Sequence, residues 1–392
     1  MPRWLPLLLG FLTAVGPIST DMYLPAFPAI EGELGTSRGS VEITLASWFV
    51  GLAVGQLVQG TLADRLGRRT PLIAGTALYT VASIGCALAS DMTTLAAWRC
   101  IAAFGGAASA VIPRAMVRDL ADGLAAARLM SRLMLVMGAA PILAPTLGGL
   151  LLGAGGWRSI FWVSAAYGGL SCVLAWALLP ETLPPARRLR RSAADLLRDF
   201  LRIGRERGFI SNALMGAFAM FSVFAFIGGA PAVYIEYFHV PPERFGLLFA
   251  VSAVGFIAAS QLNPPLLRRW GARKVPAYAL RVAAVAVLAL TLAAFTGLGG
   301  LAGIFLPAVL ALASTGLVFP NAAVGALSRH SSRAGSASAL LGTLQFGCAA
   351  LGSALVGLLA DGTPRPMALL MLFGACCAIA AELLRPNRST SM

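Results

Sequence analysis

Charge is what this sequence has least of. Asp, Glu, Lys and Arg make up 12% of its 392 residues against 58% hydrophobic residues, and mean hydropathy is +0.80, where a soluble domain is roughly a quarter charged. Lysine is nearly missing. Of 30 basic residues all but Lys274 are arginine, and Lys274 is followed by Val275, so a phosphate-cradling loop ending in Lys-Ser or Lys-Thr cannot be written. Histidine is limited to His239 and His330, both between apolar runs, which excludes paired-His metal motifs and would stretch a Ser-His-Asp arrangement across a membrane. The six cysteines (Cys86, Cys100, Cys172, Cys348, Cys376, Cys377) lie in apolar stretches without C-x-x-C spacing. They read as small packing residues, so neither a metal nor any cofactor is expected. No stretch resembles a channel's selectivity-filter loop. The formal charge of +14 comes from arginines clustered between apolar runs, which argues against nucleic acid as a partner.

What the chain has is apolar length. Runs of helical length cover Trp4 to Ile30, Val41 to Leu62, Leu72 to Ala89, Thr94 to Val117, Leu129 to Gly153 and Ile160 to Leu179. Six more cover Phe209 to Phe238, Phe245 to Leu266, Pro276 to Phe295, Leu301 to Leu327, Gly335 to Leu359 and Pro366 to Leu384. Twelve spans of ~20 residues use roughly 240 residues and leave about 150 for loops, with no room for a large soluble domain. The runs are continuous rather than alternating, so helices are expected and not a barrel. Arg3 precedes the first run as in a signal peptide, but apolar sequence continues past Asp21 without a small-residue cleavage site. The expectation is an uncleaved first span.

Orientation follows from arginine. Loops after even-numbered spans and the two termini hold 24 of the basic residues, whereas odd-numbered loops hold only Arg38, Arg158, Arg244 and Arg365. Positive residues stay on the cytoplasmic side, so both termini are expected there. Arg281 is near a cytoplasmic end, and Arg99 stands alone inside a span. A basic connector, 180–208, separates an N-terminal six-helix bundle, 1–179, from a C-terminal one, 209–392. Its Asp195 to Arg207 part reads equally as an amphipathic helix on anionic lipid or as a solvated linker. Ala63-Asp64-Arg65-Leu66-Gly67-Arg68-Arg69 has a counterpart 204 residues later in Leu267-Arg268-Arg269-Trp270-Gly271-Ala272-Arg273. Parallel repeats of this kind place a substrate site between two halves, near the midplane.

The segment Gly60-Thr61-Leu62-Ala63-Asp64-Arg65-Leu66-Gly67-Arg68-Arg69 resembles the signature loop of the major facilitator superfamily. Positive-inside charge alone explains the arginines but neither Asp64 nor the glycines. Gly60 is expected to let helices approach, and Asp64 with Arg65, Arg68 and Arg69 to form charge pairs that gate one face. Thr20-Asp21-Met22-Tyr23-Leu24-Pro25, Met116-Val117-Arg118-Asp119, Trp157-Arg158-Ser159-Ile160-Phe161-Trp162, Pro180-Glu181-Thr182-Leu183-Pro184-Pro185 and Tyr234-Ile235-Glu236 extend the likeness in order along the chain. With Pro141-Ile142-Leu143-Ala144-Pro145-Thr146-Leu147-Gly148-Gly149 they resemble the drug:proton antiporters of the bicyclomycin and chloramphenicol resistance (Bcr/CflA) type. That resemblance implies an all-α major facilitator fold of twelve helices in two bundles. It also implies a span-five packing motif at Pro145, Gly148 and Gly149, with Ala144 where the motif usually has glycine. Arg99 in Leu95-Ala96-Ala97-Trp98-Arg99 resembles the fourth-span arginine used in proton exchange, although Ala102 and Ala103 replace its usual Gln-Gly neighbours. Tyr23, Phe226, Tyr234 and Asn321 are cavity candidates by the same likeness.

Asp21 lies ~25 Å along a helix from Trp4, in the outer half of span one, at a depth compatible with Arg99 in span four. Desolvation and a facing guanidinium act on such an acid in opposite senses, which suits loading and unloading of a proton. Glu236 sits near the outer end of span seven, where an interfacial, solvated role is the simpler reading. One deep acid against one deep base makes a nearly neutral cavity, suited to neutral or singly charged, partly aromatic molecules. The expected function is proton-coupled drug efflux by a monomer in the bacterial inner membrane, with drug, protons and lipid as its partners. Uptake symport and metabolite export on the same fold stay open at this stage.

Overall fold

The computed structural model describes residues 4–120, 123–188, 193–328, 330 and 334–386. Among these residues every regular element is helical. Prolines divide the first apolar run into α1 (Leu5–Thr13), α2 (Val15–Asp21), a 3₁₀ turn (Leu24–Ala26) and α3 (Phe27–Leu34), because each ring removes a backbone donor. The next elements are α4 (Ser40–Leu66), α5 (Arg69–Ala87), α6 (Met92–Leu120) and α7 (Gly123–Leu178). After them come α8 (Ala193–Gly204), α9 (Arg207–Pro231), α10 (Pro242–Thr296), α11 (Gly300–Leu327), α12 (Ala334–Leu358) and α13 (Arg365–Leu383).

Among the described residues ten segments are long and apolar enough to cross a membrane, and two of them are each two spans. Helix α10 has 55 residues, about 83 Å at 1.5 Å per residue, far beyond a hydrocarbon core of ~30 Å. It breaks at Gly271, whose φ of 77° and ψ of 160° are not helical. Helix α7 breaks likewise at Gly155 and Gly156. Twelve spans result, and the expected loops after spans five and eight shrink to these glycine breaks. Part of the fifth span, including the side chains of Arg128, Arg132, Pro141 and Ile142, lies outside the described residues, as does the Arg118 side chain.

Two compact units form, Met1–Arg190 with Pro241–Phe249, and Arg191–Val240 with Ala250–Met392. The 180–208 connector is therefore shared at residue 190, and the first turns of α10 belong with the N-terminal unit. In that unit Gly51 and Gly55 of α4 meet α6 at Cys100, Phe104 and Ala107. Small residues supply the association that a lipid solvent cannot drive by hydrophobicity. Large apolar side chains such as Leu7, Trp176 and Val285 point outward, as lipid-facing groups do. Within the connector, α8 packs in the C-terminal unit: Ile203 is buried with Phe209, Ala213, Ala326, Ala337 and Leu341, and Glu206 pairs with His330 at 2.8 Å.

Candidate functional site

Arg99 on α6 is 2% exposed. Its Nη1 donates to the Ser19 carbonyl at 2.6 Å, and its guanidinium lies 4.1 Å from the Tyr23 ring centroid and 4.6 Å from that of Trp48. An arginine at the centre of a span costs ~2.5–3.5 kcal/mol on insertion scales. A charge-assisted hydrogen bond of ~1.5–3 kcal/mol and a cation–π contact of ~0.5–2 kcal/mol offset that cost. Asp21 is 6% exposed and accepts from Thr20 Oγ1 at 3.0 Å. Arg99 thus reaches the Asp21 helix two residues earlier, at a backbone carbonyl, and the described ion pairs contain no Asp21–Arg99 bridge.

The interior of this unit is more acidic than the sequence pattern indicates. Glu31 and Glu42 are 8% and 3% exposed. Glu31 Oε1 accepts the Val41 N–H at 3.3 Å, and the Tyr23 hydroxyl lies 3.2 Å from Thr44 Oγ1. Besides Asp21, this unit therefore buries two carboxyl groups, at Glu31 and Glu42, that the sequence pattern does not count.

At the opposite end of the unit, a second guanidinium gathers the even-numbered loops. Arg68 donates to Asp64 at 2.6 Å and to Asp119 at 2.8 and 3.4 Å, while Thr182 Oγ1 donates to Asp119 at 3.1 Å. The Glu181 carboxylate accepts the backbone N–H groups of Arg68 at 2.8 Å, Arg69 at 3.3 Å and Leu183 at 2.9 Å, and so caps the start of α5. Partial desolvation pushes the Glu181 carboxyl up, but these N–H donors and the Arg188 charge outweigh it and hold it below the usual carboxylate range. Gly67 has a φ of 98°, and a Cβ there would collide with the Glu181 carboxylate. Arg69 ties to the Trp176 carbonyl at 2.6 Å; Arg65 is exposed. At the odd-loop end Glu33 accepts from Trp157 Nε1 at 2.7 Å and pairs with Arg158, which also donates to the Ala89 carbonyl at 3.1 Å.

Span five seats its glycines close to backbone. Gly148 abuts the Met22 carbonyl, next to Asp21, and a Cβ on Gly149 would stand 3.0 Å from the Pro242 carbonyl oxygen. Pro145 is buried. Gly60 corrects its expectation: a Cβ there would meet only Val111 Cγ1 at an ordinary 3.7 Å, so the α4–α6 approach is made at Gly51 and Gly55.

Residues 9–353 match the profile of the Major Facilitator Superfamily. The chain belongs to this superfamily. It is 30% identical over 377 residues to a bicyclomycin resistance protein homolog of Haemophilus influenzae, covering 95% of this chain and 93% of that one. It is also 30% identical to a chloramphenicol resistance protein of Pseudomonas aeruginosa, covering 92% and 85%. Its fold matches the xylose transporter XylE from E. coli, solved in a partially occluded inward open conformation, with a TM-score of 0.73 at 14% identity over 99% and 98% of the two chains. The chain is a multi-pass membrane protein with the major facilitator fold, a secondary transporter of small molecules and not an enzyme.

Within that superfamily fold, the two repeats are not equivalent. Gly67 and Gly271 share a positive φ, 98° and 77°, at the expected offset, whereas Asp64 corresponds to Arg268 and Arg68 to Ala272. The C-terminal copy keeps the turn and lacks the acid–base pair. In that unit Phe226 and Tyr234 are fully buried and pack edge-on at 6.2 Å, and Asn321 donates to Asn263 Oδ1 at 2.7 Å and the Leu317 carbonyl at 2.6 Å. Tyr23 in the other unit is equally enclosed. Glu236, half-buried, lies in a π-helical turn, Ala232–Tyr237. Asp119, Glu181, Thr182, Glu31 and Glu42 are the participants that sequence reasoning passes over. For the first three the signal was present: acids and a threonine standing among arginines in segments already quoted for the family likeness.

Proposed function

We propose that this transporter exports small amphipathic drugs, neutral or singly charged and partly aromatic, in exchange for protons. It acts as a monomer in the bacterial inner membrane, with both termini cytoplasmic. The observation that carries the reading is the burial of Asp21 within two residues of the carbonyl that holds Arg99: an acid that enters none of the ion pairs among the described residues is placed to exchange a proton as access alternates. The names of the bicyclomycin and chloramphenicol resistance relatives support drug as the cargo. Proton and drug then compete in the inward-open state, and protonation of Asp21 from outside resets the cycle. Of the two buried arginines of the N-terminal unit, Arg68 is already paired with Asp64 and Asp119, which leaves Arg99 against the buried Asp21, Glu31 and Glu42 and disfavours anionic cargo, because a desolvated anion would lack a partner. Susceptibility tests in a pump-deficient bacterial host check this: the account expects resistance to neutral and monocationic antibiotics and none to anionic ones. Robust transport of sugar phosphates would refute it.

A further inference from the structure

We propose that the exposed ladder Arg269–Trp270–Tyr278–Arg281, around the turn between spans eight and nine, binds anionic phospholipid headgroups. The ladder begins in the C-terminal copy of the signature loop, Leu267 to Arg273, which contains none of the acids of its N-terminal counterpart. A latch like that of Arg68 cannot form there: among the described residues Arg268, Arg269, Arg273, Lys274 and Arg281 enter no ion pair. Their own stretch of chain supplies no partner either, because residues 244–360 contain neither Asp nor Glu. Retention of positive loops on one side of the membrane accounts for the arginines of the turn. It does not account for Arg281.

Arg281 lies inside the ninth span, about 10 Å along the helix from Lys274, and is exposed. It shares its outward face with Tyr278, Val285, Leu288 and Leu292, all exposed at helical spacing. A guanidinium on such a lipid-facing stripe is costly unless it meets an anion or water. Helical side chains lean toward the N-terminus of their helix, which for this span is the even-loop end, and Arg281 does so: its guanidinium lies 5.9 Å from the ring centroid of Tyr278, one turn earlier. Tyr278 packs edge-on against Trp270 at 5.6 Å, and the Arg269 guanidinium lies 6.0 Å from the Trp270 ring. Two exposed aromatic rings, each with one polar atom, thus stand between two cations that have no acid. Anionic phospholipid matches this order. Phosphates accept from the guanidiniums, Trp270 and Tyr278 sit at headgroup level, and acyl chains run along Val285, Leu288 and Leu292. A soluble polyanion matches only the arginines of the turn, since Arg281 opens onto the apolar stripe.

Native mass spectrometry of the purified full-length protein, taken from micelles holding equal amounts of phosphatidylglycerol and phosphatidylcholine, tests this without drug or pH gradient, so the result stands apart from the export reading. The wild type should retain phosphatidylglycerol in preference, and Arg269→Gln and Arg281→Gln should each lower that preference roughly fivefold, the effect of one basic residue at an anionic surface. Arg365→Gln, at the odd-loop end of the same unit, should leave it unchanged. In reconstituted vesicles, brominated phosphatidylglycerol should quench tryptophan fluorescence more than brominated phosphatidylcholine, and Trp270→Phe, a mild change at an exposed position, should remove the excess. Equal retention of the two lipids by the wild type, an unchanged preference in both arginine variants, or an excess of quenching that persists in Trp270→Phe would overturn the proposal. Inorganic phosphate added to the micelles should not displace the lipid; displacement would show that the surface takes a free anion and would overturn the assignment to lipid.

Discussion

Two buried arginines in the N-terminal unit solve the same problem in opposite ways. Arg68 is saturated by Asp64 and Asp119, whereas Arg99 is held by one carbonyl and aromatic faces. Saturation suits a latch, and an incomplete shell suits a charge whose partner comes and goes. Asp64 exposes 40% of its side chain and Asp119 only 17%, and Asp119 meets two guanidinium nitrogens. Asp119→Asn should therefore shift the conformational equilibrium by about 1–3 kcal/mol, the worth of a charge-assisted hydrogen bond, and Asp64→Asn by less. Transport rates at matched protein level check this; equal rates for wild type and both variants would reduce the cluster to a topology signal. Asp21→Asn should abolish uphill drug movement driven by a pH gradient while leaving a folded protein. A variant that still concentrates drug would move the coupling role to Glu236. Sequence made Asp21, Arg99, Asp64 and Arg68 legible because each breaks a pattern, a charge inside an apolar run or an acid among arginines. Glu31 and Glu42 stayed hidden because each lies at the end of an apolar run, where an acid reads as an interfacial charge until the fold shows it buried.

Helix ends and crossings decide how those residues meet. Glu181 follows the sixth span, yet its carboxylate caps the third, a contact across 113 positions that no local periodicity encodes. Its carboxyl is held below the ordinary range, so its stabilising contribution is fully present above the unfolded value of about 4.3 and is lost as pH falls through the lower folded value. Glu181→Gln should lower thermal stability at neutral pH and flatten the acid limb of the stability profile. An acid limb identical to wild type would show that the cap contributes nothing. At the fifth span, Gly148→Val drives a side chain into the Met22 carbonyl, beside Asp21. It should lower transport at least tenfold at matched expression, and wild-type transport would argue that this crossing is loose. Helix ends were legible to within a few residues; the glycine breaks inside α7 and α10 were read as loops, since backbone conformation at a glycine leaves no trace in hydropathy.

Across the whole molecule, arginine placement and apolar length carried the architecture, because a bilayer admits few ways to satisfy a backbone. The meeting of Asp64, Arg68, Asp119 and Glu181 at one end of the N-terminal unit, and of Glu33, Ala89 and Arg158 at the other, follows the alternation of even and odd loops. A reporter active only in the periplasm, fused to the C-terminus, should give no signal; a strong signal would contradict the cytoplasmic placement of that end. The central claim is that proton flow drives drug out. Inverted membrane vesicles containing the wild-type protein, loaded with a pH gradient acid inside, measure it most directly with a radiolabelled chloramphenicol-like or bicyclomycin-like compound. The account predicts accumulation that collapses when the gradient is dissipated and is lost in Asp21→Asn. Accumulation unaffected by dissipating the gradient, or none in wild type, would contradict it.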